Sequence, residues 1–261
     1  MINCVSNLAW KKREENTAVK ILKNNNINYL EFAPNLLIKN KKEIKKIKKK
    51  WAAKGIKLYS MQSILYGEEN AFIFGSKSQN EIFLNAIKSK INLANKLNVK
   101  IIIFGSPRNR KTFGKKKNLL NKIFINTFKK LSKYCRKKNV IICVEPNPKI
   151  YKSEYLNNMQ EVIKIIRKIK NKFIKINYDL GASIANRENV KISFQKNTDL
   201  IGHVQVSAPG LGNLDRYKKN IKKFNEILQV SKYKGLVSME VLAKDKNNIQ
   251  NLKNNIKIIN D

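Results

Sequence analysis

The chain is built on a repeated unit: a short aliphatic run ending on a polar or acidic residue, then a stretch with apolar residues at helical spacing. Val140-Ile-Ile-Cys-Val-Glu-Pro-Asn-Pro148 shows it most plainly. Its opening is aliphatic, as in a strand buried on both faces. The two prolines after Glu145 forbid the strand from continuing. Ile174-Lys-Ile-Asn-Tyr-Asp179, Leu200-Ile-Gly-His-Val-Gln205 and Leu236-Val-Ser-Met-Glu240 repeat the arrangement and deliver Asp179, Gln205 and Glu240 at or near their ends. A charge at the end of a buried strand is costly without a partner. Glu145 alone could simply meet water there. Four such ends in succession point to a shared site.

Along the whole chain, strands are expected over 2–9, 27–34, 56–62, 99–105, from 140 to Glu145, and over 173–179, 200–207 and 235–241. Helices are expected over 13–24, 42–54, 79–97, 119–136, from 153, over 217–230 and 247–259, with a weak one over 189–198. Gly55 supplies the stop of the second helix. Alternating units of this kind argue for parallel strands, and eight of them close into a barrel of about 250 residues. The 261 residues match that length. The expected fold is therefore α/β, a single (β/α)8 TIM barrel in one domain over 1–261.

Composition bears on compartment and partners. With 42% hydrophobic residues the chain is globular in kind. It has no apolar run long enough to cross a bilayer and no leader pattern at its start, so no membrane partner is expected. The three cysteines, Cys4, Cys135 and Cys143, form no CxxC pair, and a reducing cytoplasm suits them. The formal charge of +37 suggests polyanions at first sight. Yet lysines are spread through every kind of segment, and runs such as 41–50 keep Ile44 and Ile47 at helical spacing. That is a solvated outer face, and a compositional bias fits better than a dedicated nucleic-acid site. Non-specific attraction to RNA is left open.

In such a barrel the C-terminal strand ends build the site. Glu31, Glu145, Asp179, Gln205 and Glu240 occupy those ends. Three crowded carboxylates repel unless they are protonated or bridged by a cation. Hard oxygen donors select Mg²⁺ or Mn²⁺ ahead of Zn²⁺. The other reading pairs the acids with the plentiful lysines. Arg108 and Arg110 follow the fourth strand, and guanidinium forks suit a phosphate or carboxylate unless they are merely solvated on a loop. The only histidine, His203, lies one layer below Gln205 on the same side; a hydrogen-bonded interior histidine is its plainer role.

Glu-Pro on strand five, Asp on strand six, His-x-ligand on strand seven and Glu on strand eight resemble the xylose isomerase-like TIM barrels. Within them the pattern is similar to the sugar phosphate isomerase/epimerase group, which includes ketose 3-epimerases. The phrases Asn7-Leu-Ala-Trp10, Glu31-Phe-Ala-Pro34, Ser60-Met-Gln62, Phe104-Gly-Ser-Pro-Arg-Asn-Arg110 and Glu145-Pro-Asn-Pro148 carry the resemblance across nearly the whole chain. It implies a divalent metal on Glu145, Asp179, Gln205 and Glu240. It also implies proton transfer by Glu145 and Glu240 through a metal-stabilised enediolate. Trp10, Glu31, Gln62, Arg108, Arg110 and His203 would contact the substrate, a small carbohydrate, anionic if the arginines bind it. The chain departs from the family at Gln205, where a histidine is usual, and at Ala182 and Leu211, where a substrate-binding histidine and arginine are usual. A ligand-binding barrel without turnover therefore stays open, as does a homo-oligomer. An endonuclease IV-like enzyme needs a histidine-rich zinc cluster that one histidine cannot build.

Overall fold

The computed structural model describes residues 2–38, 43–244 and 246–261. Eight parallel strands close into one barrel in sequence order, with β8 pairing back onto β1. They are β1 Cys4–Ser6, β2 Tyr29–Phe32, β3 Lys57–Met61, β4 Ile101–Phe104, β5 Ile141–Val144, β6 Ile174–Asp179, β7 Ile201–Val206 and β8 Val237–Met239. Around them run α1 Glu15–Asn24, α2 Pro34–Leu37, α3 Ile44–Ala53, α4 Lys77–Leu97, α5 Lys117–Lys138, α6 Met159–Ile169, α7 Leu180–Ala185, α8 Lys218–Gln229 and α9 Asn248–Asn260. The (β/α)8 barrel expected from the repeat is the observed fold.

Alternation along each strand separates two packing zones. Outward side chains meet the helices: Phe104 packs with Phe83, Phe124 and Phe128, whose last two rings stack 4.2 Å apart. Tyr178 meets Phe194 and Phe224 in the same way on the opposite flank. Inward, Ile101, Ile103 and Cys143 fill the barrel beside Tyr59 and Ile141. On α3 only Ile47 and Trp51 are buried while its lysines are exposed, the solvated face expected there. Gly55 stops that helix at φ 69°; its expected first residue, Lys42, lies outside the described residues. No described helix is long and apolar enough to cross a membrane.

Three local expectations are corrected. The helix expected from 153 starts at Met159, because Asn158 caps it by accepting from the Glu161 N–H at 2.9 Å. Leu156 before it has a left-handed φ of 57° that no helix admits. The segment 189–198 forms only a π-helical turn at Lys191–Gln195, and the helical residues of that unit sit earlier, in α7. The strand expected over 27–34 is confined to Tyr29–Phe32, and Pro34 at the first helical position opens α2 instead of closing the strand.

Candidate active site

Glu145 follows β5, Asp179 ends β6 and Glu240 follows β8, so all three carboxylates stand at the C-terminal mouth. Each is held differently. Glu145 is addressed on both oxygens: Asn147 Nδ2 donates to Oε1 and Asn177 Nδ2 to Oε2, each at 2.9 Å. Asp179 caps α7, its Oδ1 accepting from the Gly181 N–H at 3.0 Å and from the Ser207 hydroxyl. Glu240, only 8% exposed, accepts no hydrogen bond from any described residue. Gly105 leaves room for Glu145: a Cβ there would lie 3.0 Å from Glu145 Oε1.

The electrostatics follow from burial and from the carboxylates' nearness to one another, with Arg110 as a partial counterweight at Glu145. Burial, then the charge of Asp179, pushes Glu145 up to about 8, against the pull of its asparagine donors and Arg110. Burial raises Asp179 to about 6 despite its hydrogen bonds. Burial and then Glu145, Asp179 and Glu31 drive Glu240 well above the usual carboxylate range. The tyrosine of the β5 loop, Tyr151, is raised by burial and by the charges of Asp179, Glu145 and Glu240, and its hydroxyl accepts from the Gly210 N–H at 2.8 Å.

Below the mouth the barrel is polar where such barrels are usually aliphatic. Ser6, Glu31 and Ser60 are register partners across β1, β2 and β3, and Gln205 faces Ser238 across β7 and β8. Glu31 is fully buried and accepts from His203 Nε2 at 2.6 Å, Ser60 at 2.7 Å, Gln205 at 2.8 Å and Ser238 at 3.2 Å. Burial alone would raise its pKa, but His203 and these donors outweigh it and hold it below the usual range. His203 is thus an interior partner of Glu31, with Nδ1 unpartnered. Gln62 accepts from Gln205 at 3.3 Å and donates to Ser6.

The structure redistributes several expected site residues. Gln205 is fully buried; its amide oxygen accepts from Asn177 and its nitrogen donates to Glu31, so neither end faces the mouth. Arg110 is not a free fork at the mouth. It is fully buried, with its guanidinium over the Phe104 ring, and donates to the carbonyls of Gly105, Glu145 and Tyr155 and to Asn147 Oδ1. Burial pulls it down to about 10, which leaves it a cation at neutral pH. Arg108 is exposed and lies 3.7 Å from Glu69. Trp10 is buried in the apolar core. Glu31, Gln62 and His203 are buried in the layer beneath the carboxylates. Sequence reading passed over Asn147, Asn177 and Ser207. Asn177 was within reach of it, since it lies two residues before Asp179 and so shares its face of β6.

Among the described residues, no three His, Cys, Asp or Glu side chains stand close enough to hold a metal ion together. In kind and charge, however, the mouth suits a hard divalent cation: its donors are buried carboxylates, Asp179 raises Glu145, and both raise Glu240, a burden that Arg110 offsets only in part. Among the described residues, Glu240 is the member of the set whose carboxylate has no hydrogen-bond donor. Gln205 does not fit as a fourth ligand in its observed position.

A sequence profile for the family described as xylose isomerase-like TIM barrel matches residues 19–261. No curated protein matches the chain. Among solved structures, apo 3-keto-D-glucoside 4-epimerase YcjR from E. coli superposes with a TM-score of 0.83 at 15% identity, covering 100% of this chain and 99% of that one. D-psicose 3-epimerase in the presence of D-fructose gives 0.78 at 14% identity, covering 99% and 90%. An AP endonuclease, family 2, from Brucella melitensis gives 0.75 at 15% identity, covering 95% and 96%.

Proposed function

The chain belongs to the xylose isomerase-like TIM barrel family, and on that premise we propose that it is an epimerase or isomerase of a small carbohydrate, working by carboxylate-mediated proton transfer. The observation that carries this reading is the trio Glu145, Asp179 and Glu240 at one mouth, each held above its ordinary pKa although the buried Arg110 pulls Glu145 the other way. Two of the structural relatives are sugar epimerases by name, which supports the choice of substrate class.

Glu145 and Glu240 lie three strands apart around the barrel, so a sugar seated between them is faced from two sides. Glu145 receives two N–H donors, which fix its direction and oppose the burial that raises it to about 8; in its ionised form it is the proton acceptor. It removes the proton from the carbon beside the sugar's carbonyl, leaving an enediolate whose electron pair is shared with the carbonyl oxygen. Glu240, whose pKa burial and neighbouring charge raise, is suited to the acid role and returns a proton to the opposite face of that carbon. A divalent cation held by Glu145, Asp179 and Glu240, Mn²⁺ or Mg²⁺ by donor type, would supply Lewis-acid stabilisation of the developing oxygen charge. Arg110 is engaged within the protein, so a charged substrate would have to rely on Arg108.

The competing reading, a barrel that binds sugar without turnover, draws on the buried Gln205 and on the unconverged carboxylates. Incubation with ketoses, keto-glycosides and sugar phosphates in the presence of Mn²⁺ or Mg²⁺, followed by NMR of the products, separates the two. Conversion of any of them to its epimer or isomer is expected. Binding without conversion across the panel would support the non-catalytic barrel.

A further inference from the structure

Two buried residues that the proton-transfer scheme does not use, Arg110 and Gln205, end on the same carboxylate by different routes. We propose that both are positioning residues for Glu145, each acting through one asparagine. The inference rests on the reading of Glu145 as a member of the active site.

The first route starts from a cation. Arg110 is fully buried and can only donate, so Asn147 must turn its oxygen toward the guanidinium. That leaves the Asn147 NH₂ facing Glu145 Oε1, where it donates at 2.9 Å. A second guanidinium nitrogen holds the backbone carbonyl of Glu145 at 3.0 Å. Arg110 thus grips both the main chain of Glu145 and, through Asn147, its carboxylate.

The second route starts from an anion. Glu31, paired with His203 and held below the usual carboxylate range, only accepts, so Gln205 must turn its NH₂ toward it. The Gln205 oxygen then faces Asn177, whose NH₂ donates both to it and to Glu145 Oε2. Among the described residues the Asn177 oxygen has no partner, so these two acceptors set its orientation. The glutamine is therefore a link that donates at one end and accepts at the other, joining the buried Glu31–His203 pair to the mouth. Glu145 ends with one N–H on each oxygen, both amides oriented by buried ions on opposite sides.

The test uses Mn²⁺ alone as probe, with binding followed by the EPR signal of the free ion. Asn147→Ala and Gln205→Met should each weaken Mn²⁺ binding about tenfold or more, the usual effect of removing a group that orients a ligand. Neither should weaken it further in a Glu145→Ala background, and both should still do so in a Glu240→Ala background. Arg110→Lys should retain more affinity than Arg110→Met, because an ammonium can still donate to Asn147. Equal losses in the Glu145→Ala background would overturn the proposal, since general loosening of the barrel would act whether or not Glu145 is present. Wild-type protein that binds no Mn²⁺ would sink the metal reading and leave the relay to crystal structures. Displacement of the Glu145 carboxylate in both Asn147→Ala and Gln205→Met would then uphold it, and an unmoved carboxylate would refute it.

Discussion

Raising the pH from 5 to 8 should destabilise the metal-free protein. Asp179 has an ordinary pKa of 3.8 and about 6 in the fold, because burial disfavours its charge. A raised carboxyl pKa means that the native state holds its proton where the unfolded chain has lost it. Stability therefore falls as pH climbs from the unfolded value through the folded one. For Asp179 the full shift of about two units corresponds to about 3 kcal/mol at 1.36 kcal/mol per unit, of which roughly half, the part between pH 5 and about 6, falls inside this window. Glu145, raised from 4.5 to about 8, extends the decline to the top of the window, and Glu240 adds to it with the same sign. Glu31 works the other way: its lowered pKa contributes stability above 4.5 that is lost on acidification, outside this range. Urea unfolding of chelator-treated protein at each pH unit measures the profile. A loss of about 3 kcal/mol or more is expected, shallower in Asp179→Asn, with Mn²⁺ at a hundredfold its Kd restoring about 3 kcal/mol at pH 8. A flat or rising profile would show that the three carboxylates do not burden one another, and the site argument would lose its electrostatic basis.

Glu31→Gln removes one partner of a buried pair and sets an NH₂ against donors, so it should cost about 3 kcal/mol or more in urea unfolding; an unchanged midpoint would mean that the polar layer is not stabilising. Gly105→Ala should leave the fold intact but weaken Mn²⁺ binding, because the new Cβ displaces Glu145 Oε1 from 3.0 Å. Ser207→Ala deletes the hydroxyl donor to Asp179 and should raise that residue's pKa further. Its stability cost should therefore be larger at pH 8, where Asp179 is ionised, than at pH 5, and equal costs would place the Ser207 bond on a neutral acid.

The barrel was legible because most of its strands carry an aliphatic run and most are followed by a helix with a clear inner stripe; β6, followed by the short α7 and a π-helical turn, is the exception. β5 and α5 need nothing beyond local pattern. The misreadings lie where a single side chain decides. Asn158 moves the start of α6, and Ser6, whose hydroxyl accepts from the Leu8 N–H, ends β1 before a 3₁₀ turn. At the site, their places at the C-terminal ends of parallel strands brought Glu145, Asp179 and Glu240 to one end of the barrel. Alternation could not tell that Arg110 turns inward, because its four acceptors come from the β4 and β5 loops as folded. Nor could it tell that Gln205 is tied at both ends, because Glu31 and Asn177 lie 174 and 28 residues away in sequence.

Proton transfer at the mouth is the central claim, and deuterium incorporation reads it directly. A ketose that the protein epimerises should, in D₂O, acquire deuterium at the carbon beside its carbonyl, since a proton taken by a carboxylate exchanges with solvent. Glu145→Gln should abolish the incorporation, because an amide cannot take up that proton at neutral pH. Epimerisation without deuterium in the product, or full incorporation by Glu145→Gln, would contradict the account.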